Sequence, residues 1–263
     1  MSLSSRSLAE IAEAAGAAIL EVYNRPAQAV VERKADDSPL TEADTRSHEV
    51  IVAALAKATP EIPVVSEEDD GNTLPVGAFW LVDPLDGTKE FVKRTGEFTV
   101  NIALIDQGTP IAGVVHAPVL GTTWVTTPSG SERWHAGEQT PLAVTRPAEP
   151  AALRLVASRD HAGPQVQALL ERMPGATTLS MGSSLKFCLV AEGRADLYYR
   201  DGPTMPWDTA AAHAVLRAAG GEVYAVSGEP LRYVAPRTLN PHFVAVGDCD
   251  LPWGDLLTSS TAS

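Results

Sequence analysis

One stretch decides both how this chain folds and what it can bind: Phe79-Trp80-Leu81-Val82-Asp83-Pro84-Leu85-Asp86-Gly87-Thr88. Its first four residues are apolar, so they predict a buried strand that delivers Asp83 to its end. Pro84 fixes one backbone torsion and Gly87 permits close backbone approach, so a tight turn can aim Asp83 and Asp86 at one point. Paired carboxylates suit Mg²⁺. The alternative is a plain turn, because Asp, Pro and Gly all favour turns.

Two further carboxylates lie at the ends of predicted elements. Glu67 follows the short buried strand Pro63-Val64-Val65-Ser66, and Asp208 begins a helix predicted over 207–219. Taken singly, Glu67 is typical of a solvated charge and Asp208 of a helix N-cap. Together with Asp83 and Asp86 they are carboxylates at element ends, which is how two-metal phosphatase sites are built.

A second constellation pairs Asp44 with Thr88. The run Thr41-Glu42-Ala43-Asp44 starts a helix predicted to extend to Ala58, and on its own it is typical of a capping motif. The functional interpretation is that Asp44 hydrogen-bonds Thr88. The Thr88 hydroxyl then positions a metal-bound water and helps to deprotonate it.

Composition and charge narrow the classes of function. The 263 residues carry a formal net charge of −13 and no cluster of Lys or Arg, which excludes a nucleic-acid polymer as partner. A phosphate substrate would need divalent cations to offset that charge. No apolar run is long enough to span a membrane and no secretory signal is visible, so we expect a cytoplasmic protein. The two cysteines, Cys188 and Cys249, are predicted to be reduced and inert.

The remaining pattern predicts two lobes. In the first, apolar residues between Leu8 and Val22 recur at helical spacing, and strands over 98–106, 111–116 and 122–127 suggest an antiparallel meander. After Pro141, strands at 153–157 and 195–199 alternate with helices at 165–172, 184–191 and 207–219, and short strands follow near 222 and 243. We therefore predict an N-terminal α+β lobe over 1–145 and a C-terminal α/β lobe over 146–263.

Three motifs in this order resemble the signatures of the inositol monophosphatase superfamily: Glu67-Glu68, Asp83-Pro84-Leu85-Asp86-Gly87-Thr88 and Trp207-Asp208-Thr209-Ala210-Ala211. The resemblance implies a layered α/β/α/β/α sandwich and a lithium-sensitive, Mg²⁺-dependent phosphatase. Within the superfamily, residues 87–105, 182–188 and 195–198 are similar to the CysQ branch. Its members are 3′(2′),5′-bisphosphate nucleotidases, which convert adenosine 3′,5′-bisphosphate (PAP) to AMP and phosphate and so clear a by-product of sulfate assimilation.

The resemblance also implies the catalytic groups. The expected ligands of two Mg²⁺ ions are four carboxylates and one backbone carbonyl: Glu67, Asp83, Leu85, Asp86 and Asp208. Asp83 would bridge the ions, and Glu68 is a candidate for a third, weaker ion or for a solvated side chain. Asp44, Glu67 and Thr88 are the residues expected to act on the attacking water.

A third set of residues is expected to contact the substrate, and it combines the metal site with a downstream group: Glu67, Leu85, Asp86, Gly87, Thr88, Ser183, Lys186, Arg200 and Asp208. By the resemblance, Ser183, Lys186 and Arg200 hold the nucleotide and its other phosphate, for which Lys and Arg are the expected partners. The alternatives are a helix cap for Ser183 and surface charges for Lys186 and Arg200.

The predicted activity is hydrolysis of the 3′-phosphate of PAP, with conversion of the sulfated nucleotide PAPS to APS as an extension. One alternative is an inositol monophosphatase or another small-sugar phosphatase, which would use the same carboxylates. Another is a non-catalytic nucleotide sensor, which is disfavoured because none of the motif residues is missing. A monomer or homodimer and a loose peripheral association with membranes are both compatible with the sequence.

Overall fold

The computed structural model describes residues 3–25, 31–33, 39–69, 73–147, 152–157, 167, 170–171, 175–235 and 239–258. Within these ranges the chain forms a seven-stranded sheet, a five-stranded sheet and a two-stranded ribbon. Buried apolar residues fill three layers: between a helix pair and the first sheet, between the two sheets around a second helix pair, and outside the second sheet. The predicted α/β/α/β/α sandwich is therefore confirmed.

The first sheet carries most of the acidic motif. Its strands lie in sequence order: β3 (Val64–Ser66), β4 (Phe79–Asp86), β5 (Thr99–Asp106), β6 (Thr109–Ala117), β7 (Thr122–Thr127), β8 (Gly130–His135) and β9 (Glu138–Pro141). Strand β3 is parallel to β4, and every later pairing is antiparallel. The predicted meander is confirmed, and it continues through β8 and β9, which the sequence did not reveal because they are polar and partly exposed.

Two helices cover one face of the first sheet: α1 (Ser5–Tyr23) and α2 (Glu42–Ala58). Successive side chains of β4 point to opposite faces of the sheet, so one strand contributes to two apolar layers. Trp80 and Val82 pack toward these helices, whereas Phe79 and Leu81 pack toward the second sheet. The ribbon pairs β1 (Val31–Arg33) with β2 (Pro39–Thr41). The polar turn predicted over 35–39 lies outside the described residues, apart from its last residue, which begins β2.

The second sheet has the order β11-β10-β12-β14-β13. Its strands are β10 (Arg154–Ala157), β11 (Thr177–Ser180), β12 (Leu197–Arg200), β13 (Glu222–Ala225) and β14 (Phe243–Val246). Strand β10 is parallel to β11 and β12, whereas β14 is antiparallel to both of its neighbours, so the sheet is mixed. The strands predicted at 153–157, at 195–199 and near 222 and 243 are present, and β11 is an unpredicted addition.

Helices α4 (Leu185–Ala191) and α5 (Ala210–Ala218) lie between the two sheets, and α6 (Trp253–Thr258) lies on the outer side of the second sheet. Of the helix predicted over 165–172, residues 167, 170 and 171 are described, and they are helical. No helix in the described ranges has the length and apolar content needed to cross a membrane. The division into lobes at residue 145 stays a prediction, since apolar side chains from both sheets share the central layer.

One predicted helix is wrong in its first turn. Residues 207–219 do not form a single helix, because a short 3₁₀ turn over Pro206–Asp208 precedes α5. Asp208 ends that turn and is not an N-cap, and its carboxylate accepts a hydrogen bond from the Met205 N–H at 2.8 Å. Proline at the start of the turn and this side-chain bond together favour the tight conformation.

Candidate active site

The acidic residues of the motif converge at the end of β4. Carboxylate oxygens of Asp83, Asp86 and Asp208 lie within 4.8 Å of one another. Two residues three positions apart on a regular strand would point to opposite faces. Here the pairing register shifts between Asp83 and Asp86, so that three steps along β4 match two along β5. This β-bulge turns both side chains to the same side, where Asp208 approaches from the second half of the chain.

Burial and mutual repulsion both act on these carboxyls. Burial raises the pKa of Asp83 well above its usual range, and the neighbouring charges of Glu67 and Asp86 raise it further. Burial also raises the pKa of Asp208 to about 8, with a further contribution from Asp86. A group of buried carboxylates with only oxygen donors matches what hard divalent cations require. The residues present therefore fit Mg²⁺.

Glu67 and Leu85 border this cluster. Glu67 directly follows β3, and its N–H donates to the Val82 carbonyl at 3.0 Å, which holds it beside β4. Its side chain is within hydrogen-bonding reach of Asp83. Leu85 is buried inside the bulge, and its N–H donates to Asp83 at 3.0 Å. Glu68 is half-buried on the turn that follows β3. The structure thus brings Asp83, Asp86 and Asp208 together and places Glu67, on the turn after β3, and Leu85, on β4, beside them.

The predicted pair of Asp44 and Thr88 is also brought together. Asp44 is buried, and its Oδ2 accepts hydrogen bonds from the N–H and hydroxyl of Thr41 at 2.8 and 2.6 Å. Its Oδ1 lies 3.5 Å from the Thr88 hydroxyl, which is also 3.4 Å from the Leu85 carbonyl. The capping motif is therefore present, and the other carboxylate oxygen of Asp44 faces the Thr88 hydroxyl, as the functional prediction requires. Catalytic hydrogen bonds are often this long without substrate.

Ser184 is a site residue that the sequence interpretation missed. It is buried at the start of α4, and its hydroxyl lies 2.8 Å from Asp86 Oδ2, 2.7 Å from the Asp208 carbonyl and 2.9 Å from the Asn101 amide nitrogen. Its N–H donates to the same Asp86 oxygen at 2.7 Å. The run of one glycine and two serines at 182–184 marks this segment in the sequence, but the sequence prediction names Ser183 and not Ser184.

The alternative prediction for Ser183, a cap of the following helix, is wrong. Its backbone is left-handed, with a φ of 52°, and its hydroxyl faces Asp86 and lies 2.7 Å from the Thr99 hydroxyl. It does not cap α4, whose N-cap residue is Ser184. The Ser183 hydroxyl therefore lies at the edge of the acidic cluster, where it is available to a ligand only if its bond to Asp86 is exchanged.

A cleft of about 590 Å³ opens beside the cluster. Asp86, Gly87 and Asp208 line this cleft together with the basic residues Lys186 and Arg200. The volume is within the range of ordinary small-molecule pockets. Acidic and basic side chains therefore share one cleft.

Neither basic residue is an ordinary surface charge. Lys186 is only 7% exposed, its ammonium donates to the Ser183 carbonyl at 2.6 Å, and burial lowers its pKa to about 8. Arg200 has a buried Nε that no acceptor among the described residues satisfies. Its Nη2 donates to the Pro203 carbonyl at 3.3 Å. Buried polar groups are normally paired, so an unsatisfied Nε in a cleft indicates room for an anionic ligand.

Comparison with known proteins agrees with this geometry. A model of the inositol monophosphatase family matches residues 5–251. The chain belongs to the inositol monophosphatase family. The 3′(2′),5′-bisphosphate nucleotidase CysQ of Escherichia coli strain K12 is 48% identical over 243 residues, which cover 89% of this chain and 96% of that protein. CysQ of Haemophilus influenzae is 35% identical over 250 residues, 92% of each chain.

Solved structures of this family share the fold. CysQ from Bacteroides thetaiotaomicron, a bacterial member of the family, superimposes with a TM-score of 0.78 at 39% identity, covering 93% of this chain and 97% of that one. The inositol monophosphatase TM1415 of Thermotoga maritima has a TM-score of 0.71 at 26% identity, covering 90% and 89%. The family resemblance seen in the sequence motifs is therefore confirmed, from α1 through the second sheet.

Proposed function

We propose that this protein is a Mg²⁺-dependent 3′(2′),5′-bisphosphate nucleotidase that converts PAP and water to AMP and inorganic phosphate. The observation that carries the proposal is a single cleft lined both by carboxylates of the acidic cluster and by the cations Lys186 and Arg200. A substrate with two phosphates can use both groups. The similarity of the chain to nucleotidases named CysQ, at up to 48% identity, supports this choice.

The metal ligands in this proposal are four carboxylates and one carbonyl: Glu67, Asp83, Leu85, Asp86 and Asp208. They would hold two Mg²⁺ ions, and Glu68 is the candidate to hold a third. When bound, Mg²⁺ supplies Lewis acidity that polarises phosphoryl oxygens and lowers the pKa of water. The repulsion that raises the pKa of the Asp83 carboxyl is then offset by the positive charge.

The chain's own groups orient the reaction. The Thr88 hydroxyl, hydrogen-bonded to Asp44, holds the attacking water in line with the phosphorus, and Glu67 borders the same space. The water proton passes toward the Thr88–Asp44 pair. The backbone N–H groups of Gly87 and Thr88 donate to phosphate oxygens, and the φ of 93° at Gly87 is one that other residues adopt only with strain. No covalent bond to the protein is required.

Lys186 and Arg200 bind the phosphate that is not hydrolysed, and Ser183 borders it. The unsatisfied Arg200 Nε gains an acceptor, and the buried Lys186 ammonium gains a counter-charge. An inositol or sugar monophosphate would use the same carboxylates but would bring no second phosphate to Lys186 and Arg200. That difference is why we favour the nucleotide bisphosphate over this alternative.

The proposal extends to the biological setting. Removal of PAP serves sulfate assimilation, and PAPS, whose phosphosulfate is also anionic at that position, is a second substrate in the proposal. We infer a cytoplasmic enzyme, acting as a monomer or homodimer on a small molecule, with no nucleic-acid polymer as partner and no obligatory membrane association.

The direct test is identification of the product by ³¹P nuclear magnetic resonance after incubation with PAP and Mg²⁺. We expect resonances of AMP and inorganic phosphate and loss of the 3′-phosphate signal. In ¹⁸O-labelled water the label should enter the released phosphate and not AMP, because water attacks phosphorus. Formation of adenosine 3′-phosphate, or label in the nucleoside, would contradict the proposed orientation.

A further inference from the structure

Glu90 lines the cleft but has no part in the metal site described above. It lies on α3 (Thr88–Val92), one turn after the metal-binding loop. A Cβ added at Gly87 would lie 3.3 Å from Glu90 Oε2, and one added at Gly182 would lie 3.1 Å from Glu90 Cγ. The Glu90 side chain therefore packs between two glycines that come from different parts of the chain and leave just enough space for it.

Charged residues of both signs surround Glu90. Partial burial raises the pKa of its carboxyl, with a contribution from Asp86, whereas its own backbone N–H and the charges of Lys186 and Lys93 oppose the rise. Glu90 thus lies within electrostatic range of the acidic cluster and of the basic residues of the cleft. Within the described part of the chain, no other side chain donates a hydrogen bond to its carboxylate.

A carboxylate at this position is unexpected in a cleft that binds a polyanion. The carboxylate repels phosphate, so a phosphate oxygen does not lie against it. It can accept a hydrogen bond from a neutral donor, and on the substrate such a donor lies between the two phosphates. Since Glu90 Oε2 lies beside Gly87, in the loop that receives the phosphate to be hydrolysed, that donor belongs to the part of the substrate next to the reacting ester.

We propose that Glu90 is a specificity-determining residue that accepts a hydrogen bond from the sugar hydroxyl adjacent to the scissile phosphate ester. This inference rests on the proposed function, in which that group is the ribose 2′-hydroxyl. Glu90 also excludes substrates that carry an anionic group there. Gly87 and Gly182 leave room for the Glu90 side chain. The discrimination between substrates therefore depends on the chain segments that carry these two glycines lying close to each other.

The test measures kcat/KM for PAP and for 2′-deoxyadenosine 3′,5′-bisphosphate. It uses the unaltered protein, the variants Glu90→Gln and Glu90→Ala, and the control Glu10→Gln, which changes an exposed residue on α1. A hydrogen bond to a charged group supports a preference of roughly 10- to 100-fold in kcat/KM for the ribose substrate. Glu90→Ala should reduce that preference to within about threefold by slowing the ribose substrate alone. Glu90→Gln, which keeps an acceptor oxygen, should retain part of it.

The outcomes separate this inference from the proposed function. If the unaltered protein hydrolyses PAP but treats the two substrates alike, or if Glu90→Ala slows both equally, Glu90 does not read the hydroxyl and only this inference fails. If the unaltered protein releases no phosphate from PAP, both fail. The preference of the unaltered protein does not depend on how any variant folds, so the inference stays falsifiable if Glu90→Ala is unstable.

Discussion

Ser184 donates twice to a single oxygen of Asp86, from its N–H at 2.7 Å and from its hydroxyl at 2.8 Å. The two residues are 98 positions apart, at the start of α4 and the end of β4. The Ser184 hydroxyl is also 2.7 Å from the Asp208 carbonyl. Ser184 therefore links the two parts of the chain that supply the clustered carboxylates, and it leaves the other oxygen of Asp86 for a metal.

The first prediction concerns this link. Ser184→Ala should weaken Mg²⁺ binding and lower kcat by roughly 10- to 100-fold, as expected when a group that orients a metal ligand is lost. Isothermal titration calorimetry of Mg²⁺ binding measures the first effect without relying on activity. The matched control is Ser131→Ala, because Ser131 is equally buried and its hydroxyl donates only to a backbone carbonyl, that of Val215, at 2.9 Å. Equal Mg²⁺ affinities for the two variants would contradict the role of Ser184.

The second prediction concerns Asp86, one of the proposed metal ligands. Asp86→Asn keeps one acceptor oxygen for Ser184 but removes a charge, so we expect Mg²⁺-dependent turnover to fall below detection. The metal-free variant should melt at the same temperature as the unaltered protein or higher, since Asp86 contributes to the repulsion that raises the pKa of Asp83. Asp106→Asn, at the end of β5, is the control. Retained turnover in Asp86→Asn would refute the metal assignment.

The third prediction separates chemistry from stability at Thr88. Thr88→Ala should lower kcat by about 10²- to 10⁴-fold, the usual contribution of a positioned proton acceptor, with little change in KM. Thr88→Ser retains the hydroxyl and should recover much of the rate. Thermal unfolding followed by circular dichroism checks that both variants fold. A kcat that is unchanged in Thr88→Ala would show that the pair with Asp44 is only a helix cap.

The fourth prediction uses the buried Lys186. Its pKa is lowered to about 8, so the ammonium is charged below that pH and neutral above it. The attraction for a second phosphate is therefore lost as the pH rises through about 8. The measured quantity is the ratio of kcat/KM for PAP to kcat/KM for adenosine 3′-phosphate, because this ratio cancels pH effects on the chemistry that both substrates share. We expect the ratio to fall as the pH rises through this interval in the unaltered protein and to stay level in Lys186→Arg, because arginine does not titrate there. A level ratio in the unaltered protein would contradict the assignment of Lys186 to the second phosphate.

The parts of the site that the sequence predicted are local in the chain. Asp83 and Asp86 were found because an apolar strand runs directly into a short acidic motif, and Asp44 because its capping pattern is complete within four residues. The β-bulge between Asp83 and Asp86, which makes them converge, has no comparable sequence signal.

The contacts that the sequence did not predict are distant in the chain. Ser184 reaches Asp86 from α4, 98 positions further along the chain, and a buried serine has the same sequence appearance as an exposed one. Asp208 joins the acidic cluster, but the helix start predicted for it is wrong, because the 3₁₀ turn depends on its own side-chain bond to Met205. Strands β8 and β9 consist mostly of polar residues and join the sheet through backbone hydrogen bonds. They therefore lack the apolar alternation from which a strand is predicted.

Phosphate release from PAP and from inositol 1-phosphate, measured side by side with and without Mg²⁺, tests the central claim most directly. A cleft that combines carboxylates with Lys186 and Arg200 predicts that PAP is hydrolysed much faster and only when Mg²⁺ is present. Faster hydrolysis of inositol 1-phosphate would leave the metal site in place but contradict the assignment of Lys186 and Arg200 to a second phosphate. Release without Mg²⁺ would contradict the role of the carboxylate cluster.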